Sequence, residues 1–524
     1  MIDNNKPVQI ERWIERNSGW LALAIVAAAF GVRIFYASAC YLNPDEATHF
    51  AAARPSTWFG AYQASLRLWH PPLFILVLHA FLYLGRSELI LRLPSVIAGT
   101  AALWFAFAWM RRVLGEIPAL AGLGFMSLFS AAISASTEVR QYGLLLLFVC
   151  AALYATERAF ADRSLTWAIC QGVLLAGALL THYTAVVVLA SVGLYALIRS
   201  LVDSMPRRLL WTFIAIQFVL AGILGWLYFA QIRRWIPVDA VGTSYLSPYF
   251  YNAGHETLLA YTGRAFTGTF AYASGARHLA LPFLLAFLAG IAALLTERFK
   301  APRLLPLLLL TPFVLGFAAG VAKVFPFTGT RHEAYLLPFL VAGIAAALMW
   351  LPRRQAALVL LVVAVVGSPL WLIRATPDNN PRLMPKSDMT AAIKYMRRAI
   401  PRGSLVFVDY GTRDVLGYYL ARKDKSLDTW RSKTPAEEQL GDYRIVVPRI
   451  RASNFRPDQV LEPVAESART LRVPPGDPLW IVSVPWVWSP PLASELPAVK
   501  VGNVKSKQFG RISVMKVSGW DAAK

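Results

Sequence analysis

Two adjacent acids, Asp45 and Glu46, sit in the segment Asn43-Pro44-Asp45-Glu46-Ala47-Thr48-His49-Phe50. They directly follow a long apolar run, so they stand where a bilayer core would meet water. Partial desolvation there raises the basicity of a carboxylate and suits it to take a proton from a hydroxyl. The plainer reading is a solvated Asn-Pro turn. Further along come His70 in Trp69-His70-Pro71-Pro72-Leu73 and Arg92 in Leu91-Arg92-Leu93-Pro94-Ser95. Arg140 and Tyr142 follow in Glu138-Val139-Arg140-Gln141-Tyr142, then His182 beside Tyr183, then Arg331 and His332 before Glu333. Each alone reads as a cap or a snorkelling side chain. Together they bring cations and imidazoles from at least five segments to one membrane level, which points to a shared site. The planar fork of arginine suits a phosphate there. Asp45, His49, His255 and Glu256 could also form a divalent-metal set.

The elements that carry these residues are set by composition. Hydrophobic residues make up 56% of the 524-residue chain and charged ones 16%, against about 25% charged in soluble domains. Mean hydropathy is +0.48. The net charge of +22 would suggest nucleic acid in a soluble protein. Here the Lys and Arg residues fall largely in short loops between apolar runs, where they set topology and meet anionic headgroups, so nucleic-acid binding is not expected. Of the three cysteines, Cys150 and Cys170 lie in apolar runs, so no disulfide framework or zinc cluster is implied. Arg33 interrupts the run before Ala37-Ser38-Ala39-Cys40, so that run reads as an uncleaved span.

Apolar runs long enough to cross a bilayer fall at about 19–39, 89–110, 117–136, 139–156, 166–181, 183–198, 209–230, 278–296, 304–322, 334–351 and 355–373, which makes eleven. A further run, Pro71–Leu84, is too short and reads as an interfacial helix. With the N-terminus in the cytoplasm, every short basic loop then falls inside: Arg111-Arg112, Arg158 with Arg163, Arg199 with Arg207-Arg208, Arg298 with Lys300 and Arg303, and Arg353-Arg354. Counting Pro71–Leu84 as a span would flip all later loops. The loops at about 40–88 and 231–277 are therefore expected outside, together with a tail at 375–524.

The tail reads as a small α/β domain. A helix is expected over Asp388–Ile400, with Ser387 as N-cap and Pro401 as stop, and another over Asp414–Arg422. Ser404–Asp409, Arg444–Val447 and Leu479–Val484 read as strands. The fold class is thus an all-α membrane domain at 1–374 and a small external α/β domain at 375–524.

The ordered set Asp-Glu after the first span, then His-Pro-Pro-Leu, then Arg-Leu-Pro-Ser resembles the dolichyl-phosphate-mannose-protein mannosyltransferase-like group. That group is related to bacterial lipid A aminoarabinose transferases, within the GT-C superfamily. The resemblance covers about Trp20 to Arg374. It implies an integral plasma-membrane enzyme of the cell envelope that takes one hexose or pentose from a polyprenyl-phosphate carrier and transfers it, with inversion, to an acceptor hydroxyl on the outer face. By the same resemblance Asp45 is the general base and Glu46 assists or orients it. His70 and Arg92 lie near the donor phosphate, and Arg140, Tyr142, Arg331 and His332 line the same pocket. Many relatives have a lysine in the tight turn where this chain has His182. The partners implied are the bilayer and the lipid-linked donor; the acceptor could be protein, lipid A or a glycan. No resident cofactor is implied beyond that candidate metal. A transporter of lipid-linked saccharide is the competing reading, but it favours broken midplane helices and internal repeats, and neither is visible. A non-catalytic envelope scaffold is the third reading, and it makes Asp45 dispensable.

Overall fold

The computed structural model describes residues 6–234, 246–296, 302–351, 355, 384–422, 436–448, 457–474, 476–484 and 503–520. In chain order the first helices are α1 (Lys6–Ala39), α2 (Pro44–Ala53), α3 (Trp58–Ser65), α4 (Leu73–Phe81), α5 (Glu88–Leu114), α6 (Glu116–Leu128), α7 (Ser130–Thr137) and α8 (Tyr142–Ala161). They are followed by α9 (Leu165–Thr181), α10 (Ala185–Val202), α11 (Arg207–Ala230), α12 (Leu258–Ser274), α13 (Ala280–Leu295), α14 (Leu305–Val321) and α15 (Leu337–Ala346).

Among the described residues seven helical segments are long and apolar enough to cross a bilayer, and an eighth if α6 and α7, bent by 60° at Phe129, form one broken span. α9 and α14 are apolar but only 17 residues each, about 26 Å at 1.5 Å per residue and just short of a full crossing. Of the eleventh expected run only Gln355 is described, so the expected eleven spans are not all accounted for. The chain is an integral, multi-pass membrane protein. The short run at Pro71–Leu84 becomes the nine-residue α4, less than half of a crossing. α12, inside the second long loop, was not expected; Thr257 caps its start and left-handed Gly275 ends it.

The chain divides into two compact units. The first comprises Met1–Phe35, Leu66–Phe74 and Arg92–Thr376. Its core is a continuous cluster that includes Trp109, Phe213, Phe270, Phe287, Phe313 and Phe339. Helices approach closely where side chains are absent: a Cβ on Gly290 would lie 1.9 Å from the Gly343 carbonyl oxygen, which packs α13 backbone-to-backbone against α15. The span Arg331–Trp350 is 83% buried, whereas Arg207–Ala230 is 17% buried and turns Trp211, Phe218 and Val219 outward. That exposed surface is apolar, as contact with lipid tails requires.

The second unit comprises Tyr36–Ser65, Ile75–Leu91 and Pro377–Lys524. Much of the segment at about 40–88 is therefore grouped with the tail. Its sheet has strands β1 (Leu405–Phe407), β2 (Ala436–Leu440), β3 (Tyr443–Val447), β4 (Leu479–Ser483), β5 (Asn503–Phe509) and β6 (Ile512–Ser518), in the order β2-β3-β1-β4-β6-β5. β1 pairs parallel with β3 and β4; the remaining pairs are antiparallel. Helices α16 (Lys386–Ala399), α17 (Tyr410–Ala421) and α18 (Pro457–Thr470) accompany it. The three expected strands and two expected helices are present. α16 starts at Lys386 after Pro385, so Ser387 lies in its first turn rather than capping it. α17 starts four residues early because Asp409 accepts the Thr412 N–H at 2.7 Å. β2, the β5–β6 hairpin and α18 were not expected.

Candidate active site

The first unit gathers the cationic and imidazole residues into one cluster. His182 lies between α9 and α10. Its ring is 5.7 Å from that of His70, 5.3 Å from that of Tyr142 and 6.0 Å from that of His332. The Tyr142 and His332 rings are 6.5 Å apart, edge to face. The Arg140 guanidinium lies 5.6 Å over the Tyr142 ring. Burial, then the charges of His332, Arg140 and Arg331, hold the His182 imidazole well below its usual value. Its Nδ1 faces the Thr184 backbone N–H at 3.2 Å and the Thr184 hydroxyl at 2.8 Å. A ring nitrogen that accepts from an amide carries no hydrogen, so Nε2 carries it and His182 is a neutral donor.

Several supporting groups were not anticipated. Gln231, the C-cap of α11, is fully buried and donates through Nε2 to the carbonyl oxygens of Leu68 at 2.6 Å and His70 at 2.9 Å. Its Oε1 accepts the Tyr183 hydroxyl at 2.7 Å. One amide thus ties the His70 backbone to the turn that carries His182. Glu333 closes a capping box with Thr330. Its Oε1 accepts N–H bonds from Thr328, Gly329 and Thr330 at 2.9, 2.7 and 3.0 Å, and its Oε2 accepts the Thr269 hydroxyl. This fixes the loop that leads into Arg331 and His332. Their sequence signal was a polar residue at the end of an apolar run, which does not by itself separate a brace from a snorkelling side chain.

Arg92 is fully buried on α5. One turn on, the Ser95 hydroxyl donates to the Arg140 carbonyl oxygen at 2.8 Å. A Cβ on Gly143 would lie 2.7 Å from the Ser95 carbonyl oxygen, so α5 and the start of α8 are in close backbone contact. Of the seven residues expected to hold a phosphate, six thus form the cluster and Arg92 lies on the helix braced against it.

Asp45 and Glu46 lie in the second unit, in the first turn of α2. Asn43 caps that helix with Pro44 at its first position. Glu46 N–H donates to Asn43 Oδ1 at 3.0 Å, and Asn43 N–H donates to Glu46 Oε2 at 2.9 Å. Glu46 is fully buried, whereas Asp45 is half-buried. The structure gives Glu46 a helix-starting role and leaves Asp45 the more accessible carboxylate. His49 bonds through Nδ1 to the Asp45 carbonyl oxygen at 2.7 Å. Glu256 is paired with Arg264 through two contacts, at 2.5 and 3.1 Å. Among the described residues no three His, Cys, Asp or Glu side chains are grouped to hold a metal ion.

Residues 69–229 match the family model described as dolichyl-phosphate-mannose-protein mannosyltransferase. That segment contains His70, Arg92, Arg140, Tyr142 and His182. No curated protein matches the chain by sequence. Among solved structures, ArnT from Cupriavidus metallidurans in the apo state matches with TM-score 0.50 at 16% identity, covering 96% of this chain and 99% of that one. The same protein bound to undecaprenyl phosphate matches at 0.49 and 16%, covering 95% and 98%. An oligosaccharyltransferase from Archaeoglobus fulgidus tethered with an acceptor peptide matches at 0.49 and 11%, covering 90% and 70%. The first of these gives the class by fold alone: the chain is a multi-pass membrane protein with the fold of that ArnT. The resemblance read from the motifs is borne out at that level, and within the class the likeness is to ArnT.

Proposed function

We propose that this protein is a membrane glycosyltransferase that moves one sugar from a polyprenyl-phosphate-linked donor to an acceptor hydroxyl on the outer face of the membrane, with inversion. The observation that carries the reading is the cluster of His70, Arg140, Tyr142, His182, Arg331 and His332. A prenyl tail keeps its phosphate at the membrane interface, and two arginines beside hydrogen-bonding imidazoles suit a phosphate that gains charge as the sugar departs. Arg92 completes the donor set in this reading. Asp45 deprotonates the acceptor hydroxyl, and Glu46 orients Asp45 by holding the first turn of α2. The N-terminus is cytoplasmic and the tail is external. The sugar is a hexose or a pentose.

The test is sugar transfer from defined polyprenyl-phosphate donors in membranes, wild type against Asp45→Asn. This substitution keeps size and removes the base. Transfer by the wild type and its loss in the variant, at equal expression, supports the enzyme and its base together. Equal turnover in both removes Asp45 from the mechanism. No turnover across donors of several sugars overturns the transferase reading in favour of transport or scaffolding.

A further inference from the structure

Open α/β sheets bind ligands in a crevice at the carboxyl ends of their strands, where the strand order reverses direction. The sheet of the second unit has such a point. From β1 the chain runs through α17 and β2 to β3 on one side, then through α18 to β4 on the other side of β1. At that point Asp409 follows β1 and caps α17. The Thr412 hydroxyl meets Asp409 Oδ2 at 2.9 Å and accepts the Val484 N–H, just beyond β4, at 2.9 Å.

The protein's own α2 packs against the helix that starts at this point. A Cβ on Gly411 would lie 2.8 Å from Pro44 Cβ, so α17 meets α2 where Gly411 lacks a side chain. Thr48 Oγ1 donates to Asp414 Oδ2 at 2.7 Å. The Phe50 ring stands edge-on to Tyr418, centroids 5.1 Å apart. Just before the helix, Leu42 N–H donates to the Tyr419 hydroxyl at 3.0 Å. Ala47 packs in one apolar cluster with Val415 and Val484. Gly411, Asp414 with Val415, and Tyr418 recur at three- to four-residue spacing, one face of α17. Pro44, Ala47 and Thr48 are the matching face of α2. Asp45 lies about 100° around the helix from Pro44, off that face.

We infer that the tail domain is a positioning element for the reaction: its α17 holds α2, and so sets where the Asp45 carboxylate stands. The inference rests on the proposed role of Asp45. Gly411, Asp414 and Tyr418 are positioning residues, and Gly411 is the sharpest handle, because the ring of Pro44 cannot swing away from an added methyl.

The test compares full-length wild type, Gly411→Ala and Gly417→Ala. The control Gly417 lies on the same helix with open space around its missing side chain. Two readouts are taken: amide hydrogen exchange over residues 45–53, and turnover with KM for a polyprenyl-phosphate sugar. Gly411→Ala is expected to exchange faster in that segment and to lose about tenfold to a hundredfold in kcat, the scale of an ångström-sized misplacement. Its donor KM stays at the wild-type value, and Gly417→Ala matches the wild type in both readouts. General loss of folding would move exchange everywhere and the KM as well. Unchanged exchange over 45–53 in Gly411→Ala overturns the docking. Faster exchange with wild-type kcat overturns the positioning role. A wild type that transfers no sugar overturns the proposed function instead, and with it the catalytic meaning of the contact.

Discussion

Replacing Glu333 tests whether the loop before Arg331 and His332 is held by one carboxylate. Glu333 is buried, and its Oε1 accepts three backbone N–H groups while Oε2 accepts the Thr269 hydroxyl. A carboxylate suits this because it accepts several donors and offers none. Glu333→Ala leaves three amide donors without that acceptor in a buried setting, at about 1–3 kcal/mol each. The three share one oxygen, so their costs overlap, and the expected loss is about 3–5 kcal/mol rather than their sum. Glu333→Gln keeps one carbonyl oxygen for the amides and turns an NH2 toward Thr269, whose hydroxyl can rotate to accept. Its expected loss is about 1–2 kcal/mol. The loop cannot relax freely: Gly329 has φ +90°, and a Cβ on Gly268 would lie 2.3 Å from the Thr328 carbonyl oxygen. Released, it should misplace Arg331 and His332 and raise the donor KM more than it lowers kcat. The assay is thermal unfolding of the purified protein in detergent beside donor kinetics, for wild type, Gln and Ala. A Glu333→Ala protein that unfolds with the wild type and keeps its donor KM refutes the reasoning.

Three further outcomes are expected. The His182 imidazole is held well below its usual value, so unfolding binds a proton as pH falls below about 6.5. Stability should be full above that pH and fall progressively below it, by up to about 1.4 kcal/mol per pH unit. Thermal unfolding of His182→Gln across the same range should show a shallower decline, and an equally steep one would refute the assignment. Arg140→Lys keeps the charge but loses the planar group 5.6 Å over Tyr142; donor KM should rise about tenfold, with about 1–2 kcal/mol lost, and unchanged donor kinetics would remove Arg140 from the site. Arg112 and Arg208 are both exposed, so single cysteines placed there, in a background without the native three, should react with a permeant thiol reagent and resist an impermeant one added outside intact cells. Labelling of both by the impermeant reagent would sink the expected topology.

The membrane fold was legible because lipid imposes a simple rule: long apolar runs become helices, and basic residues mark one side. The apolar runs of the first 351 residues each fall on helix, and α4 is as short as its run. That the arginines and histidines at the span ends cluster was legible because charge at a span end is costly and so stands out. The braces were not. Gln231 and Glu333 act on backbone groups brought near by folding, and no spacing in the sequence encodes those partners. The capping box at Asn43 and Glu46 was readable, since Asn-Pro-x-Glu is a helix start, but two adjacent acids drew the reading toward chemistry for both. In the tail, β1, β3 and β4 announced themselves as apolar runs. β5 was missed because Asn503–Phe509 is polar and largely exposed, an edge strand held by pairing with β6.

The division of the chain into two units has a consequence for mechanism under the proposed function. The clustered donor-binding residues belong to the unit that contains the spans, and both acids belong to the unit that contains the sheet. A prenyl carrier can only be met from the membrane, so its phosphate ligands are best mounted on spans, whose positions the bilayer fixes. An acceptor hydroxyl arrives with its own polar surroundings, so the base is best mounted on water-adapted structure. A base carried on a free loop would lose that advantage to conformational entropy, at about 1–2 kcal/mol per backbone residue ordered at each encounter. Packing α2 against α17 meets that cost once, during folding. On this reasoning, truncating the chain after the spans should abolish transfer even though every residue with a proposed chemical role is retained. Donor binding should survive in the truncated membrane unit. Transfer by such a truncated chain at the full-length rate would show that the loop orders itself, and that the sheet serves some other partner.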